Sequence, residues 1–279
     1  MEKDMGKLTF KARRLDDDII KDGLCAVSAL DNVPQNTGFG YVVGGIATQS
    51  YLPTACRRTT SDIDLAVLRP FSNSDFKLFA QPAVQFLGDN GYNTELRKGH
   101  SAYMIVYSKG EEAAALEFAR RSENNLGRIK SRLEEELARS RVKVIEGRDA
   151  SVRVTCPEDI AVPKLVRCVG ALNRNNNYDQ FIDPAKRVAL SDEEVASQLK
   201  EIDALRDEAM INVGDAKLAS MLRFVSDVYD IRVLSELTGF NESALHVSAN
   251  RWDALRAHPA QVKKLMDYAL PKMSLLSTS

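Results

Sequence analysis

The stretch VGGIATQSYLPTACRRTTSDIDLAVL, residues 43–68, decides how the rest of the chain is read. In its second part SDIDLAVLR alternates polar and apolar side chains with a period of two, which predicts a β-strand. On such a strand Asp62 and Asp64 project to one face, about 7 Å apart along the backbone, while Ile63, Leu65 and Val67 face the core. Two carboxylates on one face suit a hard, oxygen-seeking cation such as Mg²⁺. An acidic strand start facing water would read the same way, so D-x-D alone is a weak signal. Upstream, YVVGGIATQSYL reads as a strand, then Gly44-Gly45, then a helix. Glycines let a backbone approach a phosphate closely, and a helix N-terminus presents N–H groups and a favourable dipole. The pattern is neither G-x-G-x-x-G nor G-x-x-x-x-G-K-[ST], which disfavours Rossmann and P-loop readings.

Outward from this stretch the first half alternates helix and strand. Residues 15–31 place Ile19, Ile20, Leu24, Val27 and Leu30 at helical spacing, and the turn-rich NVPQNTG ends that helix. Residues 39–43 read as a short buried strand and 46–52 as a helix closed by Pro53. Further on come a helix over 74–91 ending on a glycine cap, and the strands SAYMIVYS and AAALEFAR joined through Lys109-Gly110. A charged helix over 122–139 precedes short strands near 141–146 and 151–155. From Pro157 nearly everything has helical period: 158–172, 192–210, 214–237, 241–256 and 259–269, with the asparagine-rich NRNNNYD (173–179) as a loop. Such segregation predicts an α+β chain, a mixed-sheet domain over residues 1–155 followed by an α-helical bundle over 156–279.

Composition is that of a globular protein, 44% hydrophobic and 28% charged. A formal net charge of −1 and a pI near 6.4 carry no global basic signal, so any nucleic-acid contact must come from a local patch. Residues 120–153 hold ten Lys/Arg against six Asp/Glu. There Arg120, Arg121, Arg128 and Lys130 are candidates for an RNA backbone, and a solvated amphipathic helix laced by i,i+4 pairs explains the same residues. Cys25, Cys56, Cys156 and Cys168 show no C-x-x-C pairing, which argues against a disulfide framework or zinc site. His100, His246 and His258 have no metal-ligand spacing, and Trp252 reads as a packing anchor of the helical region. The N-terminal MEKDMGKLTFKARR lacks the apolar core of a signal peptide, and no run approaches the roughly 18 apolar residues that span a bilayer. The expectation is a cytoplasmic chain with no membrane partner.

Glu117 completes an acidic set. It lies in AAALEFAR, where Leu116 and Phe118 face the opposite side, although an ordinary exposed strand glutamate fits the same pattern. Three acids can hold two ions about 3.5–4 Å apart, one activating an attacking hydroxyl and one steadying a leaving pyrophosphate. The chemistry is then in-line attack on an α-phosphate, with a carboxylate as the only base needed.

These residues resemble the polymerase-β-like nucleotidyltransferase superfamily, and specifically the AbiEii/AbiGii-type toxins of bacterial and archaeal toxin–antitoxin systems. Those read Gly-Gly or Gly-Ser, a helix, an Arg-rich turn with Ser or Thr, then D-[IL]-D-[LF]; here Arg57, Arg58, Thr59 and Thr60 match the turn, over a longer interval than usual. CPEDIAVPKLVRCVGAL is similar to the family's lysine helix, which assigns Lys164 to nucleotide phosphate. SDVYDIRVLSEL is similar to its closing acid motif, with Asp227 and Asp230 sharing a helix face. Some fifty residues intervene, so Asp179 and Asp183 of NNNYDQFID compete for that role; Asp227 is preferred because DIRVLSEL carries the family's apolar pattern. The resemblance implies Mg²⁺ held by Asp62, Asp64 and Glu117, an NTP substrate cradled by Gly44 and Gly45 and oriented by Arg58, Thr60 and Lys164, and Asp227 among the catalytic residues. It further implies a tRNA 3′ end as acceptor, a toxin role and an antitoxin protein as partner. Two alternatives accompany it: a small-molecule (aminoglycoside-like) or protein nucleotidyltransferase, and a catalytically inactive nucleotide- or partner-binding module.

Overall fold

The computed structural model describes residues 11–174 and 176–271. Most of the N-terminal stretch weighed above as a signal peptide lies outside the described residues, as does Asn175 of the asparagine-rich loop. The chain divides into two compact units, Met1–Ser50 with Thr59–Thr155 and Tyr51–Arg58 with Cys156–Ser279.

The first, the sheet unit, runs α1 (Asp18–Asp31), β1 (Gly40–Val43), α2 (Gly44–Gln49), β2 (Ile63–Val67), α3 (Asn73–Asp89), β3 (Asn93–Lys98), β4 (Ala102–Lys109), β5 (Glu112–Ala119), α4 (Glu123–Arg139), β6 (Arg141–Val144) and β7 (Ser151–Val154). Its seven strands form one mixed sheet in the order β3-β4-β5-β2-β1-β7-β6. The pairs β2/β5 and β1/β7 are parallel and the others antiparallel. The strand β3 has no counterpart in the sequence reading. NTELRK is polar and sits at the sheet edge, where one partner suffices and no apolar run is needed.

Alternation along β2 and β5 divides the sheet into two faces. Ile63, Leu65, Val67, Leu116 and Phe118 are buried on one, where Phe118 packs edge-on against Phe76 and Phe79 of α3 at 5.4 and 5.7 Å. The Tyr107 hydroxyl of β4 donates to the Ile19 carbonyl of α1 at 2.9 Å. On the other face α4 lays Leu126 and Leu133, two turns apart, against Tyr41 and Ala66. The helix α4 carries the i,i+4 pairs Lys130–Glu134, Arg132–Glu136 and Arg139–Glu135, and Glu136 also accepts from the Tyr41 hydroxyl at 2.6 Å. Lys130, Arg132 and Arg139 are thereby partnered within the helix.

The second, helical unit comprises α5 (Pro157–Arg174), α6 (Asp192–Ile211), α7 (Ala216–Thr238), α8 (Glu242–Ala249), α9 (Asp253–Ala257) and α10 (Pro259–Ala269). With the mixed sheet it makes the chain α+β. Val162, Leu165 and Val169 of α5, Phe224, Val228 and Ile231 of α7, and Leu265 of α10 belong to one buried cluster. The asparagine-rich segment winds as a 3₁₀ turn over Asn176–Phe181, and its Tyr178 stacks on Phe224 at 4.9 Å. The single helix expected over 241–256 is two, α8 and α9, broken around 250–252; Trp252 caps the second and packs on the core cluster. Residues 51–58, which the sequence reading assigned to the first domain, belong here: the Tyr229 hydroxyl donates to the Cys56 carbonyl at 2.8 Å. Among the described residues no helix is long and apolar enough to cross a membrane.

Candidate metal centre

Three acids meet on one face of the sheet unit. Asp62 ends the turn before β2, Asp64 is its second residue, and Asp64 stands in register with Glu117 on the parallel neighbour β5. Residues in register on parallel strands point to the same face, so a two-residue alternation and one strand pairing bring the carboxylates together. Asp62, Asp64 and Glu117 each offer a carboxylate oxygen within 4.8 Å of the others, and all three side chains are half-buried. Burial, and then the charge of Asp62, push the Glu117 carboxyl above its usual range. All-oxygen donors gathered at this spacing, one of them destabilised as an anion, fit a hard divalent cation.

The glycine pair abuts this cluster. Val43 is in register with Asp64, which places Gly44 beside the Asp64 carboxylate. Gly44 has φ +73°, and a Cβ there would stand 2.1 Å from Asp64 Oδ2. At Gly45 a Cβ would stand 2.7 Å from Thr60 Oγ1, which itself lies 3.5 Å from Asp62 Oδ1. Glycine is thus required at both positions by close approach to the acids and to the threonine that borders them. The helix α2 has only six residues and starts on the glycines, earlier than the sequence reading placed it. The glycine pair is therefore a tight backbone passage next to a carboxylate, with little macrodipole behind it.

The remaining candidate residues lie in the helical unit and form a buried ion network. Lys164 of α5 is 3% exposed, and its Nζ donates to Asp227 Oδ1 at 3.1 Å and Asp230 Oδ2 at 2.8 Å. Arg58 forks onto Asp230 through Nε and Nη2 at 2.9 and 2.7 Å. Arg167, absent from the sequence reading, forks onto Asp227 at 2.8 and 3.0 Å. Its signal was present: it follows Lys164 by three residues, one turn of the same helix face. Burial alone would push the Asp230 carboxyl up, but Arg58 and Lys164 outweigh it and hold the group below its ordinary value. Of the two acid pairs in competition, Asp227 and Asp230 join Lys164, whereas Asp179 pairs with Lys264 at 2.9 Å and Asp183 caps a 3₁₀ turn.

No family model and no curated protein matches the chain. Among solved structures, an antigenic nucleotidyltransferase-like protein from Paracoccidioides brasiliensis is similar at a TM-score of 0.39 and 13% identity, over 88% of this chain and 92% of that one. A likeness of that degree carries no argument about chemistry, which rests on the geometry above.

Proposed function

We propose that this chain is a divalent-metal-dependent nucleotidyltransferase that moves a nucleoside monophosphate from an NTP to an acceptor hydroxyl and releases pyrophosphate. The observation that carries the reading is the convergence of Asp62, Asp64 and Glu117 beside a glycine pair that only Gly can occupy. Asp62, Asp64 and Glu117 would hold Mg²⁺, which when bound supplies positive charge to the phosphates and acidifies an acceptor hydroxyl. Gly44 and Gly45 let the backbone pass close against Asp64 and Thr60, and the triphosphate contact expected of that glycine backbone belongs to this proposal. Glu117 would complete the metal site or take the proton of the acceptor hydroxyl.

The phosphate contacts expected of Arg58 and Lys164 belong to the same proposal. Both are held by Asp230, so a phosphate would have to compete with a buried carboxylate for them. Asp227 and Asp230 enter as the acids that fix these cations. The narrower kinship with AbiEii/AbiGii-type toxins, tRNA as acceptor and an antitoxin partner are the finer part of the reading, and they come from motif resemblance.

The test incubates purified protein with Mg²⁺, each of the four α-³²P-labelled NTPs in turn, and total tRNA, beside an Asp62→Ala/Asp64→Ala variant. Label on tRNA with wild type and none with the variant is the expected result. Label on the protein itself would replace tRNA by a protein acceptor. No labelled product with tRNA, protein or small-molecule acceptors would overturn nucleotidyl transfer.

A further inference from the structure

A second feature of the sheet unit lies beyond the carboxyl ends of β2 and β5. A cleft of about 850 Å³ opens there, lined by Lys98 at the end of β3, by His100 in the β3–β4 connection and by Arg120 and Arg121 just past β5. No aspartate or glutamate is among its lining residues. The Arg120 N–H donates to the Ser101 carbonyl at 2.7 Å, prolonging the β5 ladder by one residue. Its guanidinium then reaches the carbonyls of Gly99 and His100 at 3.3 and 3.4 Å and lies over the Tyr103 ring. Arg121 donates to the Val67 carbonyl at 3.3 Å. Neither guanidinium forms a salt bridge among the described residues, so each keeps donors beyond the neutral carbonyls it touches. The contrast is with Lys130, Arg132 and Arg139 of α4, each answered by a glutamate one turn away.

The rest of the lining points the same way. Ser72 and Ser122, the N-caps of α3 and α4, both face the cleft, so two 17-residue helices begin at its wall. Their own hydroxyls already cap the first turns, and the helix ends add positive potential without supplying the site themselves. Lys98, His100, Arg120, Ser72 and Ser122 are all exposed. Small-molecule sites bury about 70–90% of their ligand, and an open groove of exposed cations and hydroxyls does not. It suits an extended polyanion that runs along it.

We propose that this cleft binds the sugar–phosphate backbone of a nucleic-acid strand. Its place on the sheet, four residues past Glu117 and so about 13 Å along the strand direction, makes that strand the acceptor. Naming it the acceptor rests on the nucleotidyl-transfer reading; the affinity of the cleft for backbone phosphates does not.

The experiment follows anisotropy of a labelled single-stranded RNA of about twelve nucleotides over a salt series, with full-length protein and no NTP. The Lys98→Glu/Arg120→Glu variant changes two exposed side chains, and its thermal unfolding should match wild type. Its affinity is expected to fall by at least about tenfold, and its log–log salt slope to flatten by about 1.4 for two lost single-strand phosphate contacts. The comparator Lys130→Glu/Arg139→Glu makes the same change of net charge on α4 and is expected to bind within about twofold of wild type. Equal weakening by both variants would assign the effect to net charge and overturn the proposal, as would unchanged binding by the cleft variant. Inorganic pyrophosphate that binds at the cleft in the absence of any RNA binding would also overturn it, in favour of a small anion. Cleft-dependent RNA binding by a protein that transfers no nucleotide would uphold this proposal while sinking the transfer reading.

Discussion

The sheet unit and the helical unit each gather carboxylates, and they treat them in opposite ways. In the sheet unit, burial and a neighbouring acid push Glu117 up. In the helical unit Asp230 is wholly buried, yet Arg58 and Lys164 hold it down. The second arrangement is satisfied from within; every carboxylate oxygen of Asp227 and Asp230 meets a cationic donor. The first brings the carboxylates of Asp62, Asp64 and Glu117 within 4.8 Å of one another on one face, a grouping that could hold a metal ion. Carboxylates are thus paired with cations in one unit and gathered with one another in the other.

The largest effect expected from this contrast is in the helical unit. Asp230→Asn leaves Arg58 and Lys164 without their shared anion, and stability measured by urea unfolding should fall by about 3–5 kcal/mol. The pH dependence has a definite sign. A carboxyl lowered in the folded state stabilises the fold above its unfolded pKa, about 3.9, and that contribution is lost as pH falls through the folded value. The gap between wild type and Asp230→Asn should accordingly close below about pH 4. An unchanged gap at low pH would show that the network is not held by ionised Asp230.

Next comes Gly44→Ala. The positive φ costs a β-carbon about 1–2 kcal/mol, and the added atom meets Asp64 Oδ2 at 2.1 Å, so the carboxylate must move. Transfer activity and divalent-ion affinity should both drop by more than the loss of stability explains. Full activity in this variant would separate the glycine pair from the acids.

Smallest is Glu117→Gln, with the opposite sign on stability. A carboxyl raised in the folded state opposes folding as pH rises from its unfolded value, about 4.3, through its folded one. The amide lacks that limb, so the metal-free variant should melt about 1–2 °C higher at pH 7, the partial exposure of the site keeping the gain small. A lower melting temperature would mean that ionised Glu117 is satisfied by the protein, as Asp230 is.

What could be read in the sequence followed from local periodicity. SDIDLAVL alternates cleanly, so the shared face of Asp62 and Asp64 was legible, and AAALEFAR put Glu117 on a strand. Their convergence needed the parallel pairing of β2 with β5, which no local pattern states. The polar edge strand β3 gave no apolar signal, and between α8 and α9, where Asn250 is the C-cap of one and Trp252 the N-cap of the other, neither Pro nor Gly announces the break. The role of Arg58 was hidden most deeply. It sits in the turn before Asp62, yet its partner Asp230 lies 172 residues on, and that long-range pair draws residues 51–58 into the helical unit. The motif resemblance assigns Arg58 and Lys164 to phosphate, and nothing in the sequence displays the buried counter-ion that holds both.

The most direct test of the central claim is a Mn²⁺ titration followed by electron paramagnetic resonance, on wild type and on the Asp62→Asn/Asp64→Asn/Glu117→Gln variant, without nucleotide. The account predicts saturable binding by wild type that disappears in the triple variant while its fold persists. Equal Mn²⁺ binding by both proteins would contradict a metal centre at these three acids.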